Sequence, residues 1–189
     1  MKHLAVYCGS SYGASPAYRE AAVELGKEMV RRGLTLVYGG SSVGIMGVLA
    51  DTVIAEGGHT IGVIPQVLVD REISHQGLTE LHVVGTMHDR KFKMAELADA
   101  FLVLPGGPGT MEEFFEAFTW AQIGIHRKPI GMLNVNRYYD PMISLFEHMV
   151  REQFMQPQYQ SMAIIEPNVS VLLDMMSKFE APAVKSYGK

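Results

Sequence analysis

A single cysteine, Cys8, among 189 residues excludes an intramolecular disulfide and a thiolate metal cluster within one chain. Long apolar runs are missing too: none approaches the length of a membrane span. There is no surplus of positive charge. Sixteen Lys and Arg against twenty Asp and Glu leave a net charge of −4, so a nucleic acid polymer is a poor partner and any anion must be held by local groups. The histidines lack metal-ligand spacing. His82 and His88 have no cysteine nearby, and no metal or organic cofactor is assigned. Repeats, linkers and low-complexity segments are also absent. The N-terminal residues run straight into the strand-like His3-Leu4-Ala5-Val6-Tyr7-Cys8, without the features of a signal peptide, and a reducing, cytoplasmic setting is expected.

What remains is an ordinary globular composition, 48% hydrophobic and 19% charged, of a length that suits one domain. Short β-rich runs alternate with longer helical ones. Strands are expected at Leu4–Cys8, Leu34–Tyr38, Thr60–Ile64, Leu81–Val84, Ala100–Leu104 and Pro129–Leu133. Helices are expected at Pro16–Arg32, Met46–Glu56, Met87–Ala98, Met111–Ile125 and Pro141–Glu152, with Ser15 and Thr86 as N-caps. Several strands are continuous apolar runs, the pattern of a sheet covered on both faces. The fold class is α/β: a single Rossmann-like, doubly wound domain with a mostly parallel sheet over residues 1–180, followed by a flexible tail over 181–189.

In such sheets ligands sit beyond the carboxyl ends of the strands. Three glycine-rich segments follow strands there. The first supplies Gly9, Ser10 and Ser11, the second Gly40, Ser41 and Gly44, and the third Pro105-Gly106-Gly107-Pro108-Gly109-Thr110. Glycine lets backbone amides approach an anion closely, and the helix that follows adds free N–H groups and a positive dipole end. Tight turns alone would also use glycine, but three such loops on one sheet edge favour a phosphate. The second loop lacks the Gly-Lys-Ser/Thr ending of a P-loop, and no clean G-x-G-x-x-G follows the first strand.

Two charged groups stand beside these loops. Glu113 lies three residues after Thr110, the spacing of a capping box, so it either caps the helix or acts on a ligand. Glu112 and Glu116 flank it, while Met111, Phe114, Phe115 and Phe118 form an apolar face. Arg90, Lys91 and Lys93 lie near the start of the helix before the fifth strand. Cations there have the wrong sign for the helix dipole unless an anion is close. A solvated face with Asp89 as local partner is the alternative.

The run Pro105-Gly106-Gly107-Pro108-Gly109-Thr110-Met111-Glu112-Glu113 resembles the PGGxGTxxE signature of the LONELY GUY family, the cytokinin riboside 5′-monophosphate phosphoribohydrolases often mislabelled lysine decarboxylases. Tyr7-Cys8-Gly9-Ser10-Ser11, Tyr38 to Gly47, Met87-His88-Asp89-Arg90-Lys91 and Thr119 to His126 are similar to other family segments. Ser41 stands where glycine is common, and Pro108 where plant members tend to carry tyrosine. The resemblance implies a homodimer with active sites near the subunit interface. It implies hydrolysis of an N6-substituted adenosine monophosphate to free base and ribose 5-phosphate. It further implies Arg90 and Glu113 as the catalytic pair, with Gly106, Gly107, Pro108, Gly109, Thr110, Met111, Glu112, Lys91, Glu72, Met87 and Thr119 at ligand-binding positions. Two other readings stay open: a nucleosidase acting on unmodified AMP, and a non-enzymatic nucleotide or cofactor carrier on the same fold. Decarboxylation is disfavoured, since no motif places a lysine for a pyridoxal phosphate Schiff base.

Overall fold

In the computed structural model every strand is followed by a helix; residues 1–71 and 73–184 are described. The order is β1 (His3–Tyr7), α1 (Pro16–Arg31), β2 (Thr35–Tyr38), α2 (Gly44–Ala55), β3 (Thr60–Pro65), α3 (Gln66–Val69), β4 (Glu80–Val84), α4 (Met87–Leu97), β5 (Ala100–Val103), α5 (Pro108–Gln122), β6 (Ile130–Leu133), α6 (Asp140–Arg151), α7 (Pro157–Gln160), β7 (Ala163–Glu166) and α8 (Val169–Ser177).

The strands form one sheet in the order β4-β3-β2-β1-β5-β6-β7, and every pairing is parallel. The chain winds outward from β1 to β4, then returns to β5 on the other side of β1. The switch point of this doubly wound sheet therefore lies between β1 and β5, where a crevice opens beyond the strand ends.

Alternate residues of the central strands feed two cores. Leu4 and Val6 of β1, with Leu102 of β5, pack against Leu25, Met29, Leu49 and Leu172 from α1, α2 and α8. Ala5 and Tyr7, with Phe101 and Val103, pack against Met94, Phe114, Phe118 and Phe146 from α4, α5 and α6. Burial on both faces accounts for the unbroken apolar runs. The aromatic residues of α5 thus mainly serve the core: Phe114 and Phe118 are buried, and Phe118 stacks on Phe146 with ring centroids 5.3 Å apart.

Three features differ from the expectation. Helix α5 starts at Pro108 rather than Met111, because Gly107 takes the N-cap position and Pro108 pre-sets the first helical φ. An edge strand β7 and the amphipathic α8 extend the sheet; Asn168 caps α8 by accepting a hydrogen bond from the Val171 amide. The short α3 and α7 were also not expected. Of the tail expected after residue 180, the described part ends at Val184, whose side chain lies beside Gly124, and 185–189 lie outside the described residues.

Candidate active site

The sheet order puts β2, β1 and β5 side by side, so the three glycine loops meet at one edge. The amide of Gly9 donates to the Pro105 carbonyl at 3.3 Å, and the amide of Ile45 donates to the Gly9 carbonyl at 3.1 Å. The contact between the first two loops needs glycine at position 44. Its φ is 59°, and a Cβ would collide with the Ser10–Ser11 backbone.

A cavity of about 360 Å³ opens over these loops. Ser10, Ser41, Gly107, Pro108, Gly109 and Thr110 line one side, with Arg90, Glu112 and Glu113 on another. Met46, Leu68, Ile73 and Met87 supply apolar wall. Two helix N-termini face this space. Neither Val43 before α2 nor Gly107 before α5 makes a side-chain cap, so first-turn amides keep their hydrogen-bonding capacity for a ligand. Helix α4 is different. Thr86 Oγ1 accepts from the Asp89 amide and Asp89 Oδ2 accepts from the Thr86 amide, each at 3.0 Å, so its own side chains close that end.

Glu113 does not cap α5. Thr110 is the third helical residue, buried within the first turn, while Glu113 points to Arg90. Glu113 Oε1 lies 3.1 Å from Arg90 Nη1, both side chains nearly covered. The contact is an ion pair by distance without hydrogen-bond direction, and Oε1 has no hydrogen-bond partner among the described residues. Burial pushes the Glu113 carboxyl above its ordinary value. Arg90 opposes the shift, Glu112 and Glu116 reinforce it, and Lys91 opposes it. Arg90 alone would depress the value; desolvation outweighs it here.

Arg90 is fixed from behind. Its Nε donates to the Val63 carbonyl at 3.1 Å, and its guanidinium fills the space beside Gly39, where any Cβ would overlap it. Lys91 is buried as well, with its ammonium 2.7 Å from Glu112 Oε1 and 3.1 Å from Glu116 Oε1. The solvated cationic face considered above is thus confined to Lys93, which pairs with Glu96.

Not every expected ligand residue reaches the cavity. Ser11 and Gly106 line an adjoining cleft of about 200 Å³ with Tyr12, Tyr18 and Tyr138. Gly9, Gly40 and Gly44 shape the loops, and Met111 packs against the core. The Ser41 hydroxyl donates to the Ile73 carbonyl at 3.1 Å, pinning the segment after α3 to the second loop. Thr119 lies further along α5, beside another cavity lined by Phe118, Gln122 and Tyr159. Glu72 lies outside the described residues. Sequence reasoning missed Cys8, Gly39, Val43, Met46, Leu68 and Ile73 in the lining. The Gly-Gly pair at 39–40 was a signal for Gly39; nothing local marks Leu68 or Ile73. Burial raises the Cys8 thiol far above its ordinary value, so it stays protonated and is no nucleophile.

A family model described as possible lysine decarboxylase matches residues 46–176. The chain is 46% identical over 179 residues to a cytokinin riboside 5′-monophosphate phosphoribohydrolase of Arabidopsis thaliana, covering 95% of this chain and 82% of that protein. It is 46% identical over 178 residues to another from Oryza sativa subsp. japonica, covering 94% and 74%. Among solved structures, the molybdenum cofactor binding protein of Rippkaea orientalis shares the fold at a TM-score of 0.70 and 18% identity, covering 94% of this chain and 96% of that one. At this identity and coverage, the chain belongs to the LONELY GUY family of cytokinin riboside 5′-monophosphate phosphoribohydrolases.

Proposed function

We propose that this chain hydrolyses the N-glycosidic bond of an N6-substituted adenosine 5′-monophosphate, releasing the free base and ribose 5-phosphate. The observation that carries this reading is the buried Arg90–Glu113 pair beside the uncapped start of α5. Amides of the glycine loops and of that first turn hold the 5′-phosphate, and this remote binding positions C1′ against the carboxylate. The base lies along Leu68, Ile73 and Met87, a wall that suits an apolar N6 substituent.

Breaking the C1′–N9 bond builds positive charge on the ribose. The Glu113 carboxylate stabilises that charge and takes a proton from the attacking water, whose oxygen bonds to C1′ as the C1′–N9 bond breaks; that proton then passes from Glu113 to the departing base, which leaves neutral and restores the carboxylate. A carboxyl raised by burial suits this exchange, because it accepts a proton more readily than an ordinary glutamate. Arg90 orients the carboxylate and keeps part of its charge. Ser10 and Thr110 complete the phosphate cradle.

The same reading takes residues 1–180 as one domain and the working form as a homodimer in the cytoplasm. Supporting an assembly, Phe92, Ile125 and Phe154 expose 63%, 63% and 86% of their surface. Among the described residues no helix is long and apolar enough to cross a membrane.

The test is incubation of the purified protein with AMP and with its N6-isopentenyl analogue, followed by chromatography for free base. Release from the analogue, faster than from AMP, is expected. Nucleotide binding without any ribose 5-phosphate would favour a carrier and end the hydrolase reading.

A further inference from the structure

Two cross-links join α4 to α5. One is Arg90 to Glu113; the other runs from Lys91 to Glu112 and Glu116. Adjacent residues of a helix point about 100° apart, whereas positions four apart share a face. Glu112 and Glu116 therefore form one acidic edge, and Glu113 lies on the neighbouring face. A single ammonium bridges that edge. Unbridged, its two carboxylates would repel each other one turn apart and crowd Glu113 with negative charge.

Lys91 is an unusual residue to bury: its side chain is 5% exposed, and among the described residues those two carboxylates are what offsets the cost of desolvating its ammonium. Both partner contacts are short, which leaves the ammonium engaged with carboxylates. It is absent from the cavity lining, whereas Glu112 and Glu113 are in it.

Resting on the hydrolase reading above, we infer that Lys91 is a positioning residue for Glu113: its ammonium ties Glu112 to Glu116, fixes the rotation of α5 that aims Glu113 at Arg90, and does not bind the substrate phosphate. Four charged groups set the balance around Glu113. Arg90 and Lys91 face it from α4, Glu112 and Glu116 flank it on α5, and it faces the neutral Tyr7 at the end of β1 and Cys8 just after it. Of the charged groups, Lys91 is the one whose loss both frees the acidic edge and removes a cation.

Steady-state kinetics across pH with the N6-isopentenyl monophosphate test this for the wild type, Lys91→Met, Lys91→Arg and Glu116→Gln. In Lys91→Met, kcat falls by at least about tenfold while KM stays within about twofold. Removing a nearby cation raises the Glu113 carboxyl further, so the acid limb of the kcat profile moves to higher pH. Lys91→Arg retains most of kcat, and Glu116→Gln moves the limb to lower pH. A raised KM with kcat and the limb unchanged in Lys91→Met would make Lys91 a substrate ligand and overturn the inference. Should Lys91→Met not fold, an unmoved or upward-moving limb in Glu116→Gln overturns it. Carbon-13 NMR titration of the Glu113 carboxyl reads the same shifts without turnover. A wild type that releases no base sinks the hydrolase reading, while the titration still decides the role of Lys91.

Discussion

Two carboxylates meet guanidinium groups on opposite sides of the sheet, and they behave in opposite ways. Glu28 on α1 accepts from Arg31 Nε and Nη2 and from Arg32 Nε, each at 2.6 Å, and Arg32 continues to Asp174 near the end of α8. The hydrogen bonds from Arg31, with those from Arg32, pull its carboxyl from the ordinary 4.5 to about 2. Glu113 meets Arg90 through one undirected contact, and burial pushes it upward. Accessible surface does not separate them, since the side chains are 14% and 9% exposed. Depth and hydrogen bonding do: Glu28 is covered by its own arginines, Glu113 by the sheet and two helices. A fully satisfied ion pair holds helices together. An under-satisfied one beside a cavity keeps an acceptor in reserve for chemistry.

The largest break of this comparison is Glu113→Gln. Base release falls by roughly a thousandfold, the scale of losing a positioned proton acceptor. Stability moves little, because two effects oppose. A raised folded-state carboxyl costs stability as pH climbs past its unfolded value, and glutamine removes that cost; Arg90, however, loses its counter-charge. Turnover and a melting curve on the same sample check both halves, and near-normal turnover would return Glu113 to a structural role. Next in size is Gly39→Ala. Its methyl group enters the space of the Arg90 guanidinium and the Met46 sulfur, displacing the clamp without touching any charge. A loss of about a hundredfold in kcat/KM is expected, as for a small displacement of reacting groups. Unaltered kinetics would mean that the Arg90 position is not critical.

The sequence carried the alternation of elements and the convergence of glycine loops, because tight turns and continuous apolar strands leave local marks. It carried Arg90 through a local conflict, cations at the positive end of a helix. It did not carry the split between Arg90 and Lys91, whose partners lie on α5, more than twenty residues away in each case. Helix α5 was placed three residues late because Pro108-Gly109 reads as a turn, although Pro is well suited to the first helical position. That shift produced the false capping box at Thr110 and Glu113. Leu68 joins the cavity from α3 and Ile73 from the segment after it, which is held by a short bridge between Ser41 and Ser74 that no local pattern announces. Strand β7 has four residues followed by Pro167 and lies at a sheet edge, where short length and partial exposure weaken the apolar signal.

The gentlest probe sharpens the contrast from the other side. Glu28→Gln deletes the charge that Arg31 and Arg32 share, far from the glycine loops, so turnover stays at the wild-type level. A carboxyl lowered from 4.5 to about 2 contributes stability that is fully present above its unfolded value and is lost as pH falls from about 4.5 toward 2. Arg31 is 67% exposed and water screens much of the interaction, so the loss at neutral pH is about 1–2 kcal/mol rather than the roughly 3 that the full shift would convert to. The wild type and Glu28→Gln should therefore differ in denaturant midpoint at pH 7 and converge only as pH falls to about 2. Convergence is the decisive part: a gap of constant size across that range would mean that glutamine changed packing rather than charge, and the opposition between the two carboxylates would lose its electrostatic basis.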